Sequence, residues 1–182
     1  RPDPSGTAIR GTTDAGGGSE GPPQRVFGAR CPGRVDACGK SPLYTAMTVI
    51  DLSAVILYDD RGRILLQHRT DDAPTFPGFW SFFGGGVEPG ETLEQAAVRE
   101  ALEELSYALK APHHWLSQPF SNQGLAYTQH IFLERYDGTA LVLGEGQAMK
   151  WFAPRETGVL PISAHARAAV EALDRWLGCQ LG

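Results

Sequence analysis

Three carboxylates, Glu100, Glu103 and Glu104, stand at i, i+3 and i+4 in the stretch Arg99-Glu100-Ala101-Leu102-Glu103-Glu104. A helix would project them from one face. Like charges at that spacing weaken a helix by roughly 0.2–0.5 kcal/mol per pair, so something positive is expected over them. Clustered carboxylate oxygens suit a hard divalent cation such as Mg²⁺ or Mn²⁺. Just upstream lie Glu91 and the glycines Gly84, Gly85 and Gly86, which let the backbone turn tightly and approach a ligand.

The element that must carry these acids is a helix beginning after Thr92. Thr92 is a suitable N-cap, and Gln95 completes a capping box three residues on. Glu94 falls in the first turn, where the helix dipole favours negative charge. Ala97, Val98, Ala101, Leu102 and Leu105 form the apolar arc expected to pack on a core. Pro89-Gly90 marks a turn just before Glu91. An acidic run alone is usually a solvated face. Here the glycine, Glu91, Arg99 and the three acids all hold fixed spacings.

Those spacings follow G-x5-E-x7-R-E-U-x-E-E-x-G-U, with U a bulky apolar residue, on Gly85, Glu91, Arg99, Glu100, Glu103 and Glu104. The stretch resembles the Nudix box, and the resemblance extends over about residues 48–178. Three positions depart: Ala101 replaces a larger aliphatic, Ser106 the final glycine and Tyr107 the last aliphatic. Glycine commonly ends helices in the left-handed conformation, so the helix is expected to run on toward Leu109 or to end less sharply. The resemblance implies an α/β fold, a mixed sheet between helices, and hydrolysis of a diphosphate linkage in a nucleotide, most like the MutT branch. It also implies Glu100, Glu103 and Glu104 as metal ligands. Glu100 is the foremost candidate general base as well, with Glu103 also a catalytic candidate. Arg99 and Glu91 are implied as the pair that locks loop to helix. Glu145, in a segment similar to the GKEGQ type, and the carbonyl of Gly84 or Gly85 are further ligand candidates. Arg69, Gly85 and Gly86 are candidate substrate contacts; Arg69, just after the second strand, is placed either to reach phosphate or to form a surface salt bridge.

The chain has 182 residues, 42% hydrophobic, enough for one good core. A net charge of −5 argues against a duplex nucleic-acid binder, which carries a basic face. A small nucleotide held through metal ions is compatible with it. Cys31, Cys38 and Cys179 fit neither a disulfide framework nor a four-ligand zinc site. A reduced, cytoplasmic setting is the expectation, and no apolar run is long enough to span a membrane. Composition leaves a homodimer open.

Residues 1–46 are rich in Gly, Pro, Ser and Arg and read as a disordered or extended tail. A natural start at Met47, with the tail an upstream translation, is one expectation. A transit peptide is the rival, weakened by Asp3, Asp14, Glu20 and Asp36. From residue 47 to 182 one domain is expected. Strands are predicted at Val49–Tyr58, Ile64–His68, Trp80–Phe83, Trp115–Ser117, Leu125–Tyr136 and Met149–Ala153. A last helix is predicted over Pro161–Leu177, capped by Ser163 and ended by Gly178. Glu134 and Lys150 read as surface charges. Trp80, Phe82, Phe120, Tyr127 and Trp151 are candidates to stack on a base. Before the last helix, where MutT-like enzymes that read oxidised guanine carry an Asn, stand Ile162-Ser163-Ala164-His165. Leu116-Ser117-Gln118-Pro119-Phe120 faintly resembles the SQPW element of NADH pyrophosphatases, without their zinc-ribbon cysteines. An NADH, ADP-ribose or sugar-nucleotide pyrophosphatase and a non-catalytic nucleotide sensor are the alternatives.

Overall fold

A computed structural model describes residues 48–180; the expected tail over 1–46, the start at Met47, Cys31 and Cys38 lie outside the described residues. Strand β1 (Val49–Tyr58) alternates its side chains between two cores. Ala54 and Ile56 face one, Val55 and Leu57 the other, and all four are buried. The first core is completed by a C-terminal helix, α2 (Ala164–Gln180), through Ala166, Ala169, Val170, Leu173 and Leu177. The second is completed by α1 (Leu93–Leu105), through Ala97, Ala101 and Leu105. The sheet is thus sandwiched between helices.

Seven strands make a mixed sheet: β1, β2 (Ile64–His68), β3 (Trp80–Ser81), β4 (Phe83–Gly86), β5 (His113–Asn122), β6 (Leu125–Arg135) and β7 (Ala148–Phe152). β1 and β6 run parallel over ten residues, Val49 against Ala126 to Tyr58 against Arg135. The other pairs are antiparallel. On its second edge β1 changes partner: it meets β2 at Tyr58 and β4 from Leu52 to Val55. The sheet therefore forks, and the glycine strand β4 lines the fork.

Four sequence expectations need correction. Trp80–Phe83 is two strands, because Phe82 leaves the β2 ladder to enter the first core while Phe83 joins β1. The short strand at Trp115–Ser117 is ten residues long, with a register shift between His114 and Leu116. Gly178 does not end α2, which continues to Gln180. Glu134 is buried, not a surface charge: it accepts the backbone N–H groups of Lys110 and Ala111 and the Tyr107 hydroxyl. Lys150 is exposed as expected, over the Phe152 ring.

Candidate active site

The turn into α1 is held by the expected capping box: the Gln95 N–H donates to Thr92 Oγ1 at 3.1 Å and the Thr92 N–H to Gln95 Oε1 at 2.8 Å. The buried Ser53 hydroxyl donates to the Leu93 carbonyl at 2.6 Å, fixing the helix start to β1. The helix is rotated from the expected arc. Ala96, Ala97, Ala101, Glu104 and Leu105 are buried, whereas Leu102 is 55% exposed. That rotation turns Glu104 into the protein. The helix also stops sharply. Ser106 takes the left-handed conformation at φ 50°, and the Tyr107 N–H reaches back to the Ala101 carbonyl at 3.2 Å. Tyr107, in the place of an aliphatic, is buried in the second core.

Arg99 gathers the loop. Its Nε and Nη2 clasp both oxygens of Glu91 at 3.0 and 3.1 Å, and Nη2 also donates to the Gly86 carbonyl at 2.9 Å. Its Nη1 reaches Glu100 at 2.7 Å and Glu103 at 3.2 Å. Glu91 accepts the Glu88 N–H as well. The Arg99 hydrogen bonds are the main cause holding the Glu91 carboxyl below its ordinary range.

Glu104 is only 4% exposed. It accepts the Gly84 N–H at 2.7 Å and the side-chain amide of the buried Gln67 at 3.4 Å. Burial first, then the charges of Glu145 and Glu100, push its carboxyl up to about 7, against the opposing Gly84 and Gln67 hydrogen bonds. Burial also raises Glu100, with Arg99 opposing. Gly84 must be glycine: its φ is +133° and a Cβ would lie 2.1 Å from the Ser53 carbonyl oxygen. A Cβ on Gly85 would lie 2.6 Å from Glu100 Oε1, so that glycine gives the acid its room.

Glu145 is held by its neighbours. The Gly144 N–H donates to the Glu104 carbonyl at 2.7 Å, and the Gln147 N–H to the His68 carbonyl at 2.8 Å. The Gln147 side-chain amide donates to the Arg69 carbonyl at 2.8 Å. The loop is thereby slung between the end of α1 and the end of β2.

One cavity of about 360 Å³ brings together Glu100, Glu104, Glu145, Gly84, Gly85 and Arg69. Glu91, Gly86 and Glu103 do not line it. The Glu103 side chain is 58% exposed and turned to Arg99. Arg69 is fixed by its own loop, with Nε to the Thr75 carbonyl at 2.8 Å and Nη2 to Thr75 Oγ1 at 3.4 Å. Aromatic rings furnish the far walls. His165 stacks on Phe120 at 3.9 Å, Phe120 on Tyr127 at 5.0 Å, and Trp80 on His68 at 4.7 Å. Phe82 also lines the space, but Trp151 packs in the second core instead.

Sequence reasoning missed Gln67, Phe76 and His165 as parts of this site. Gln67 carried a signal as the one amide in strand β2, and His165 as a member of the segment before the last helix. Among the described residues, no three metal-ligating groups meet at one point as the side chains stand. The donor set nevertheless fits a hard divalent cation: three carboxylates repel one another on one cavity, and among the described residues the one guanidinium lining it is tied to Thr75.

A model of the NUDIX domain matches residues 49–173. The chain is 49% identical over 53 residues to the nucleoside triphosphatase NudI of Escherichia coli O1:K1 / APEC, a stretch that is 29% of this chain and 38% of that protein. The chain thus spans well under half of the curated relatives it matches. Among solved structures, the MutT protein of Methanosarcina mazei Go1 superposes with a TM-score of 0.66 at 23% identity, covering 72% of this chain and 97% of that one. The E. coli ORF135 protein does so with 0.63 at 30% identity, covering 73% and 94%. Similarity over most of the described residues, centred on a carboxylate helix clasped by its own arginine, places this chain in the Nudix family.

Proposed function

We propose that the chain is a Mg²⁺-dependent hydrolase of a diphosphate bond in a nucleoside triphosphate or nucleoside diphosphate derivative, releasing a nucleoside monophosphate. One observation carries this reading: Glu100, Glu104 and Glu145 open on the same cavity as the Phe120–His165 stack and the Trp80 ring. An acidic end suits cation-bridged phosphates, and an aromatic end suits a base. Similarity to the E. coli nucleoside triphosphatase supports the triphosphate.

Glu100, Glu104 and Glu145, with the Gly84 carbonyl, would hold the ion, Mg²⁺ or Mn²⁺, while Glu103 joins from the rim. When bound, such an ion neutralises phosphate charge and lowers the pKa of water. Glu100, half-buried and already raised, accepts the proton as water attacks phosphorus and the P–O–P bond breaks. Arg99 keeps Glu100 aimed, and Glu91 keeps Arg99 in place. Arg69 offers its remaining Nη1 to a phosphate oxygen.

The test is incubation with Mg²⁺ and a panel of dNTPs, oxidised dGTP, ADP-ribose, NADH and sugar nucleotides, with products resolved by chromatography. Metal-dependent release of a monophosphate and pyrophosphate from a triphosphate is the expected result. Nucleotide binding without turnover across the panel would overturn it in favour of a sensor.

A further inference from the structure

The base end of the cavity is lined by neutral polar side chains, among them Asn122, Gln129 and Ser163. One of them has its polarity set by its neighbours. Gln118 and Gln129 face each other across β5 and β6, on the α2 side of the sheet. The Gln118 amide terminus lies 3.1 Å from the His165 backbone carbonyl. A carbonyl oxygen only accepts, so the Gln118 group there is its NH₂. The same NH₂ lies 3.0 Å from Gln129, so the Gln129 atom that meets it is the carbonyl oxygen, Oε1. The Gln129 NH₂ is thereby left pointing away from this clamp.

Resting on the hydrolase reading above, we propose that Gln129 selects keto bases: its clamped amide presents a donor to the cavity, favouring thymine, uracil or guanine over cytosine or adenine. The carbonyls of the keto bases accept that hydrogen. The exocyclic amino groups of cytosine and adenine set a donor against a donor, and a buried mismatch of this kind is costly. His165 supplies both the clamping carbonyl and, through its ring on Phe120, part of the stacking wall. A base stacked there lies beside the Gln118–Gln129 pair.

The test measures kcat/KM for dTTP, dUTP, dGTP, dCTP and dATP with Mg²⁺, and separately the affinities of the five monophosphates by calorimetry. A keto preference of about tenfold or more is expected in both. Gln129→Glu, whose carboxylate still accepts from Gln118, places an acceptor toward the base and reverses the order. Gln118→Glu, which cannot donate to Gln129, draws the Gln129 NH₂ to itself and weakens or reverses the preference. Equal ratios in the wild type and both variants would overturn the proposal, as would a wild-type preference for dCTP and dATP. Ordered monophosphate affinities without hydrolysis would uphold base selection while removing the hydrolase reading. Absence of binding by all five monophosphates would overturn base selection, whatever the hydrolysis assay shows.

Discussion

Glu103 and Glu104 are neighbours in sequence and opposites in circumstance. One lies on the surface beside Arg99, and the other is buried against the Gly84 amide. Both are expected to matter to turnover. Glu104→Gln should lower kcat by about a thousandfold or more, and Glu103→Gln by an order of magnitude or more, with circular dichroism unchanged. Steady-state kinetics with Mg²⁺ would check this, and wild-type rates in both variants would remove the metal-site assignment. Glu104 also makes a stability prediction. Its carboxyl rises from 4.5 to about 7 on folding, so the folded state binds the proton more tightly. Its contribution is fully present below pH 4.5 and lost as pH climbs through about 7. Glu100 moves in the same direction. The metal-free protein should therefore show a Tm that falls between pH 5 and pH 8, and the fall should flatten in Glu104→Gln. Mg²⁺ should raise Tm more at pH 8 than at pH 5, because the ion competes with the proton for the same oxygens.

The helix and its two flanking loops decide whether these acids meet. Ser106 holds a left-handed backbone that glycine adopts without strain. Ser106→Gly should raise stability by ~0.5–1 kcal/mol in urea denaturation without altering kcat. The loop bearing Glu145 depends on Gln147. Gln147→Ala should weaken Mn²⁺ binding about tenfold, read by electron paramagnetic resonance, with little change in Tm. Much of this element was legible beforehand. Thr92, Gln95 and the box spacing located the helix and its cap, because caps and charge pairs are local in sequence. The rotation of α1 was not legible. An apolar arc of Val98 and Leu102 competes with one containing Glu104, and only the Gly84 amide and Gln67, waiting across the sheet fork, decide for the carboxylate.

Across the whole molecule, the acidic end of the cavity was readable, and at the other end Trp80, Phe82, Phe120 and Tyr127 were readable as stacking candidates but Phe76 and Gln129 were not. Glu100 and Glu104 share one helix, whereas Phe76, Phe120, Gln129 and His165 come from a loop, two strands and the start of α2. No periodicity links residues so far apart. The described residues contain no helix long and apolar enough to cross a membrane. With a net charge of −5, the chain repels nucleotide polyanions unless cations intervene. Treatment with a chelator should abolish turnover and weaken triphosphate binding far more than nucleoside binding. Equilibrium dialysis with and without Mg²⁺ would show the difference.

The parallel ladder between β1 and β6 has a consequence for how the protein is made. The strand that begins the sheet cannot gain this partner until the chain has been synthesised past Arg135, and Glu145 and His165 follow later still. Pairing at such long range is slow to nucleate, because loop-closure entropy is lost before the contacts repay it. A nascent chain therefore carries a complete carboxylate helix while β1 still offers a bare hydrogen-bonding edge. During that interval the hazard is strand-to-strand association with other chains, and the final third of the polypeptide ends it by covering the edge.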